Sequence, residues 1–120
     1  MSQTRSTYRA VQAVLSSRTR GLVGAAELER MKPTTRLINA SRGPIVEEQA
    51  LISVLKNKNI AGAASGVFDI EPLPPPNPFR TLANVLAPSH IGYVSPGLYT
   101  TFYEETVSNI RRWLDTTRHP

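Results

Sequence analysis

The feature that most limits what this chain can fold into is the run Ile60 to Val67, IAGAASGV. It is small and apolar throughout and shows no alternation of apolar with polar residues. A half-exposed strand alternates, and an amphipathic helix repeats every three to four residues. A run that does neither reads as a strand buried on both faces, the kind found in parallel sheets. Parallel strands need crossover connections, usually helical. The flanking sequence should therefore alternate strand and helix.

It does. Tyr8 to Ser16 is an apolar-leaning run that predicts a strand, followed by a loop over Ser17 to Gly21. Gly24 to Met31 is rich in helix formers and is stopped by Lys32-Pro33. Thr35 to Asn39 predicts a short strand and Ser41 to Val46, with adjacent Gly and Pro, a turn. Glu47 to about Lys56 predicts a helix, with Glu47 and Glu48 at its start and Lys56 and Lys58 at its end, as the helix dipole favours. Leu73 to Phe79 holds four prolines and is expected to be a surface loop. Asn84 to Ala87 is expected to be a short buried strand and Pro88 to Val94 a loop. Ser95-Pro96 then opens the strongest helix signal. Tyr99, Phe102, Tyr103, Val107, Ile110, Trp113 and Leu114 trace one apolar face to about Asp115. The sum is an α/β fold with a parallel sheet.

Composition removes other classes. The chain has 120 residues, enough for one domain. It has no cysteine, hence no disulfide framework and no thiolate metal site, and no metal is expected. No stretch approaches a membrane span, and no apolar run near the start makes a secretory signal. A cytoplasmic location is the expectation. The Arg and Ser of the start, with no acid before Glu27, leave a transit peptide as the alternative. Net charge is +5, but the basic residues are spaced out and no aromatics interleave with them, so no nucleic-acid partner is expected.

Ligands of open α/β sheets bind outside the carboxyl ends of the strands. Three successive strand ends lead into Ala40-Ser41-Arg42-Gly43, Asp69-Ile70-Glu71-Pro72 and Pro88-Ser89-His90-Ile91-Gly92. They deliver an Arg, a Glu and a His to one edge. An Arg fork grips a carboxylate with two hydrogen bonds. A His transfers protons near neutral pH, and a carboxylate beside an imidazole orients the ring and favours its charged form. Together these suit reduction of a carbonyl next to a carboxylate, with the hydride taken from a cofactor. Each residue alone has a plainer reading: a solvated or ion-paired Arg, a surface Glu, a structural His. Only their joint placement points to a site.

Four motifs resemble those of the D-isomer-specific 2-hydroxyacid dehydrogenases. Asn39 to Val46 (NASRGPIV) is similar to the family's N-x-S-R-G-x-x-V segment, and Val67 to Pro74 (VFDIEPLP) to its D-V-F-x-x-E-P-L-P segment. Asn84 to Gly92 (NVLAPSHIG) resembles N-V-x-x-T-P-H-I-G, and Leu15 to Val23 (LSSRTRGLV) resembles L-T-x-x-T-x-G-L-I. Asn109-Ile110 with Trp113 is similar to the closing helix. The resemblance implies a partial Rossmann-like, doubly wound sheet with flanking helices over residues 10–115, lacking the first βαβ units. It leaves 1–9 as a poorly defined segment and 116–120 as a tail.

The resemblance further implies NAD or NADP as cofactor and a small 2-keto or 2-hydroxy acid of the glyoxylate or hydroxypyruvate kind as substrate. Arg42 would hold the substrate carboxylate and carbonyl, His90 would be the acid, and Glu71 its paired carboxylate. Ala40, Ser41 and Arg42 with His90, Ile91, Gly92 and Tyr93 would line the nicotinamide end. Three departures stand out. The 120 residues contain no G-x-G-x-x-G, Gly66 stands where the family usually has Asp, and Ser89 rather than Pro precedes His90. The alternative reading is a non-catalytic remnant, or a half-domain that associates with a full-length relative. A scaffold or corepressor role is a third reading: some relatives of the fold regulate transcription, and the positive charge would permit it. The exposed sheet edge and unpartnered last helix of such a half-domain predict a marginal monomer that forms homodimers or aggregates.

Overall fold

A computed structural model describes residues 7–118. Positions 1–6, most of the segment set apart above, and positions 119 and 120 of the tail lie outside the described residues. Four parallel strands form one sheet in chain order: β1 (Tyr8–Val11), β2 (Arg36–Asn39), β3 (Gly62–Ser65) and β4 (Val85–Leu86). Three helices follow the strand-and-helix reading: α1 (Ala25–Glu29), α2 (Glu48–Lys56) and α3 (Pro96–Arg118). None is long and apolar enough to cross a membrane.

The register fixes which side chains share a face. Val11, Asn39 and Ser65 form one row, and Arg9, Leu37, Ala63 and Val85 another on the same side. The core lies against that side: Leu37 and Ala63 pack with Leu28, Leu51, Leu55 and Ile60, all buried. The opposite face, with Tyr8, Arg36, Ile38, Ala64 and Leu86, lines an open groove, and among the described residues no second helical layer lies against it. Two expectations are thereby corrected. The small apolar run is not covered on both faces, and the strand at Asn84 to Ala87 is not buried, since Leu86 is 66 % exposed. Smallness there serves a close neighbour instead. A Cβ on Gly62 would stand 2.6 Å from the Asn84 carbonyl oxygen, so glycine lets the chain entering β4 approach.

Local signals account for the helices. Glu27 on α1 accepts a hydrogen bond from the Gly24 amide at 2.9 Å, one half of a capping box. The inner face of α2 buries Leu51, Ile52, Val54 and Leu55. Past its end, Lys58 adopts φ 56°, and the Lys58 and Asn59 amides donate back to the Leu55 and Val54 carbonyls at 3.2 and 2.8 Å. That is a Schellman closure with lysine where glycine is usual.

The proline segment is a surface loop only in its middle. Leu73 and Phe79 at its ends are core residues, and the Phe79 ring lies 6.0 Å from that of Phe68. Asn77 caps the short 3₁₀ turn that follows by accepting from the Phe79 amide at 2.9 Å, and its amide nitrogen donates to Glu48 on α2, also at 2.9 Å. The Arg80 guanidinium closes the loop by donating to the Leu73 and Pro74 carbonyls.

α3 starts where the sequence places it. The Ser95 hydroxyl accepts from the Leu98 amide at 3.2 Å, and Pro96 is the first helical residue. The helix runs on to Arg118, past the expected end near Asp115, and none of its 23 residues is buried. It projects from the sheet: the radius of gyration is 19.3 Å, against roughly 14 Å for a compact domain of this length.

Candidate active site

Each expected site residue sits just beyond the carboxyl end of a strand. After β2, Asn39 builds the turn. Its buried side chain accepts from the Ser41 amide at 3.1 Å and donates to the Arg42 carbonyl at 3.0 Å. The Ser41 hydroxyl donates to the Val11 carbonyl at 2.8 Å and accepts from the Ala13 amide at 3.2 Å, tying the end of β1 to this turn. Arg42 follows, exposed, with Nη1 on the Ser41 carbonyl at 2.7 Å. Gly43 then passes so close to the next segment that a Cβ would lie 2.2 Å from the Phe68 carbonyl carbon. Only glycine permits that approach, which brings the Arg42 turn against the chain leading to Glu71.

After β3, the Ser65 hydroxyl donates to the Val67 carbonyl at 2.7 Å and turns the chain out of the sheet. Glu71 is held by both carboxylate oxygens. Oε1 accepts from the Phe68 amide at 2.9 Å, and Oε2 lies 2.9 Å from Nδ1 of His90, which follows β4. Desolvation pushes the Glu71 carboxyl up. The Phe68 amide, the His90 hydrogen bond and the charges of His90 and Arg42 outweigh it, so the carboxyl titrates below its ordinary range. The His90 and Tyr93 rings form a T-shaped pair, their centroids 6.2 Å apart and their planes at 79°.

An open cleft of about 600 Å³ is lined by Ala40, Arg42, Gly66, Val67, His90, Gly92 and Tyr93. A Cβ placed on Gly66 or Gly92 meets nothing within 4 Å. The cleft thus has room for a flat ring between the Arg42 and His90 loops, and its volume falls in the usual range of ligand sites. Glu71 lies outside this lining, and Leu73, Arg80 and Pro88 join it and His90 around a second cavity of about 420 Å³. The fold therefore gathers Ala40, Arg42, His90, Gly92 and Tyr93 at one cleft, with Glu71 bonded to His90. It turns the Ser41 hydroxyl toward β1 and leaves Ile91 exposed and outside the lining. Sequence reasoning missed Asn39, Gly43 and the Phe68 amide as supports. The spacing Asn39-x-Ser41 was the one available signal, because Asn commonly bonds the amide two residues on.

The fold thus sets an Arg, a Glu and a His beyond successive strand ends of a parallel α/β sheet, the edge where ligands of open α/β sheets bind. Residues 4–92 match the family described as D-isomer specific 2-hydroxyacid dehydrogenase, NAD binding domain, and the chain belongs to that family. It is similar to glyoxylate/hydroxypyruvate reductase B of Enterobacter agglomerans, with 46 % identity over 87 residues, 72 % of this chain and 27 % of that protein. Among solved structures it is similar to the D-isomer specific 2-hydroxyacid dehydrogenase of Xanthobacter autotrophicus Py2 in complex with NADPH and MES. The identity there is 40 %, the coverage 72 % and 28 %, and the TM-score 0.69. The phosphoglycerate oxidoreductase of Vibrio cholerae o395 covers more of the chain, 93 %, and 36 % of itself, at 32 % identity and a TM-score of 0.82. The chain spans about a quarter to a third of the length of these proteins.

Proposed function

We propose that residues 10–115 form the catalytic edge of an NAD(P)-dependent dehydrogenase that reduces a small 2-keto acid, of the glyoxylate or hydroxypyruvate kind, to a 2-hydroxy acid. A bound nicotinamide supplies the hydride, which no side chain can. Arg42 anchors the substrate carboxylate in a forked pair of hydrogen bonds. Glu71 fixes the His90 ring through Nδ1, leaving the Nε2 proton to pass to the carbonyl oxygen as the carbon receives the hydride. Ala40, Gly92 and Tyr93 border the room for the nicotinamide ring. The reading is supported above all by the 2.9 Å Glu71–His90 pair, whose His90 lines the same cleft as Arg42. The relatives' names and the NADPH in the Xanthobacter complex agree with it.

The test is a chimera of the Enterobacter reductase in which residues 10–115 of this chain replace the matching segment. Glyoxylate- or hydroxypyruvate-dependent oxidation of NAD(P)H is expected. His90→Ala should lower kcat by roughly 10²- to 10⁴-fold, and Arg42→Ala should act chiefly on KM. Turnover indifferent to His90 sinks the assignment.

A second reading applies to the 120-residue polypeptide by itself: a non-catalytic half-domain that associates with a full-length relative. Gly66 favours it, since glycine offers no side chain to bond the nicotinamide carboxamide and nothing else fills the space. Calorimetry on this polypeptide separates the two. Micromolar NAD(P) binding removes the second reading. Absent binding that Gly66→Asp improves in the chimera supports it.

A further inference from the structure

Glu48 is the first residue of α2. It lines neither cavity beside His90, yet it ties α2 to two other segments around the site. Its Oε1 accepts a hydrogen bond from the Asn77 side-chain nitrogen at 2.9 Å, and its Oε2 accepts from the Asp69 backbone amide at 3.4 Å. Asn77 heads the 3₁₀ turn that carries Phe79 into the core. Asp69 follows Phe68, whose own amide donates to Glu71 Oε1 at 2.9 Å. Gly43, Glu48, Phe68 and Phe79 meet around a void of only about 10 Å³, far below the size of a ligand site. The spot is a joint between segments.

An acid in a first turn suits the helix dipole wherever it points. Exposed Glu47 needs no more than that, but Glu48 is half-buried. A glutamine of the same length would have one acceptor oxygen and an NH₂ group facing a second donor. Only a carboxylate offers an oxygen to each of Asn77 and Asp69. It does so at a cost, since the charge of Glu48 adds to the desolvation that pushes the Asp69 carboxyl up. We propose that Glu48 is a positioning residue: by anchoring the Asp69 amide it fixes the turn that aims the Phe68 N–H at Glu71, and through Glu71 it orients the His90 ring. Its place in catalysis rests on the reading of His90 as the acid.

Carbon NMR of the Glu71 carboxyl in the 120-residue chain is the test. Desolvation raises that carboxyl, and the Phe68 amide, His90 and Arg42 lower it. Glu48→Gln and Glu48→Asp both withdraw an oxygen from the Asp69 amide, the first by chemistry and the second by reach. With the Phe68 amide loosened, Glu71 should titrate higher in each variant. Loss of a nearby negative charge by itself would move Glu71 the other way, and Glu48→Asp keeps the charge, so the sign tells the two effects apart. The His90 ring signals should move as well. In a Glu71→Gln background, Glu48→Gln should leave them where Glu71→Gln alone puts them, because the effect passes through Glu71. Val54→Ala, a core change elsewhere on α2, should leave Glu71 unmoved. Glu48 is only half-buried, so circular dichroism should show both of its variants folded. A Glu71 carboxyl that stays or falls in either variant, one that moves as far in Val54→Ala, or a His90 response that survives without Glu71 would overturn the proposal. The measurement needs no turnover, so it stands apart from the chimera, whose failure would remove the catalytic reading and leave the joint.

Discussion

Glu71 and Asp69 stand two positions apart and titrate in opposite directions. The Glu71 carboxyl is held below its ordinary range, as described above. Its contribution to stability is therefore full above the usual glutamate range and is lost as the pH falls through the lowered folded value. The Asp69 carboxyl is pushed up by desolvation and by the charge of Glu48, against the opposing pull of Arg20. Its contribution is present below the usual aspartate range and lost as the pH rises through the raised folded value, so ionised Asp69 costs stability at neutral pH. Glu71→Gln should lower the thermal midpoint at pH 7 and Asp69→Asn should raise it, with both differences closing in acid. A midpoint at pH 7 that falls in Asp69→Asn would show that Asp69 has a partner worth more than its burial costs.

Gly43 gives the sharper residue-scale test. A methyl group there must displace the backbone at Phe68, and Phe68 is the residue whose amide holds Glu71. Gly43→Ala should cost about 1–3 kcal/mol, as overpacking does. It should also shift the His90 ring signals in an NMR spectrum, while an equally destabilising change elsewhere in the core would not. Arg42, Glu71 and His90 were legible in the sequence because each follows a strand whose apolar run gives it away. Their supports were not, since the contact of Gly43 with Phe68 joins residues far apart in the chain and leaves no local mark.

At the scale of elements, Lys58 is the one residue that works against its helix. It closes α2 in the left-handed region, where a side chain costs roughly 1–2 kcal/mol and glycine nothing. Part of that gain is returned as unfolded-chain freedom. Lys58→Gly should therefore stabilise the fold by about 0.5–1 kcal/mol in urea denaturation, without changing the steepness of the transition. The elements with strong local signals were read almost to the residue: α2 from its periodicity and end charges, the start of α3 from Ser95-Pro96. β1 was read too long. It ends at Val11 because the Ser41 hydroxyl takes over the Val11 carbonyl and the Ala13 amide, a contact no local pattern announces. The proline segment was misjudged for the same kind of reason. Its four prolines rule out regular structure, but Leu73 and Phe79 are drawn inward by Phe68 and the core.

The whole molecule is two bodies of unequal firmness. The sheet, α1 and α2 share a core, whereas α3 extends the longest dimension to 64 Å without burying a residue. A helix held only by its own hydrogen bonds is marginal in water. Amides of α3 should exchange with deuterium much faster than those of β2 and β3. Protection of α3 equal to that of the strands would mean that the helix is covered in solution. The amphipathic face was plain in the sequence from its periodicity. That it would stand unpartnered followed only from the family resemblance, because periodicity reports which side of a helix is apolar and says nothing of what lies against it.

The order of the sheet has one more consequence. Each strand pairs with the strand before it, and the paired residues that open the three ladders are 28, 26 and 22 positions apart. No strand waits between two neighbours for one made later. Contacts of such even, moderate span favour quick assembly, and a chain synthesised from its amino end can add each strand to a finished edge as it emerges. Of the two sheet edges among the described residues, β4 offers only two residues, too short to template the strand of a stranger, whereas β1 offers four.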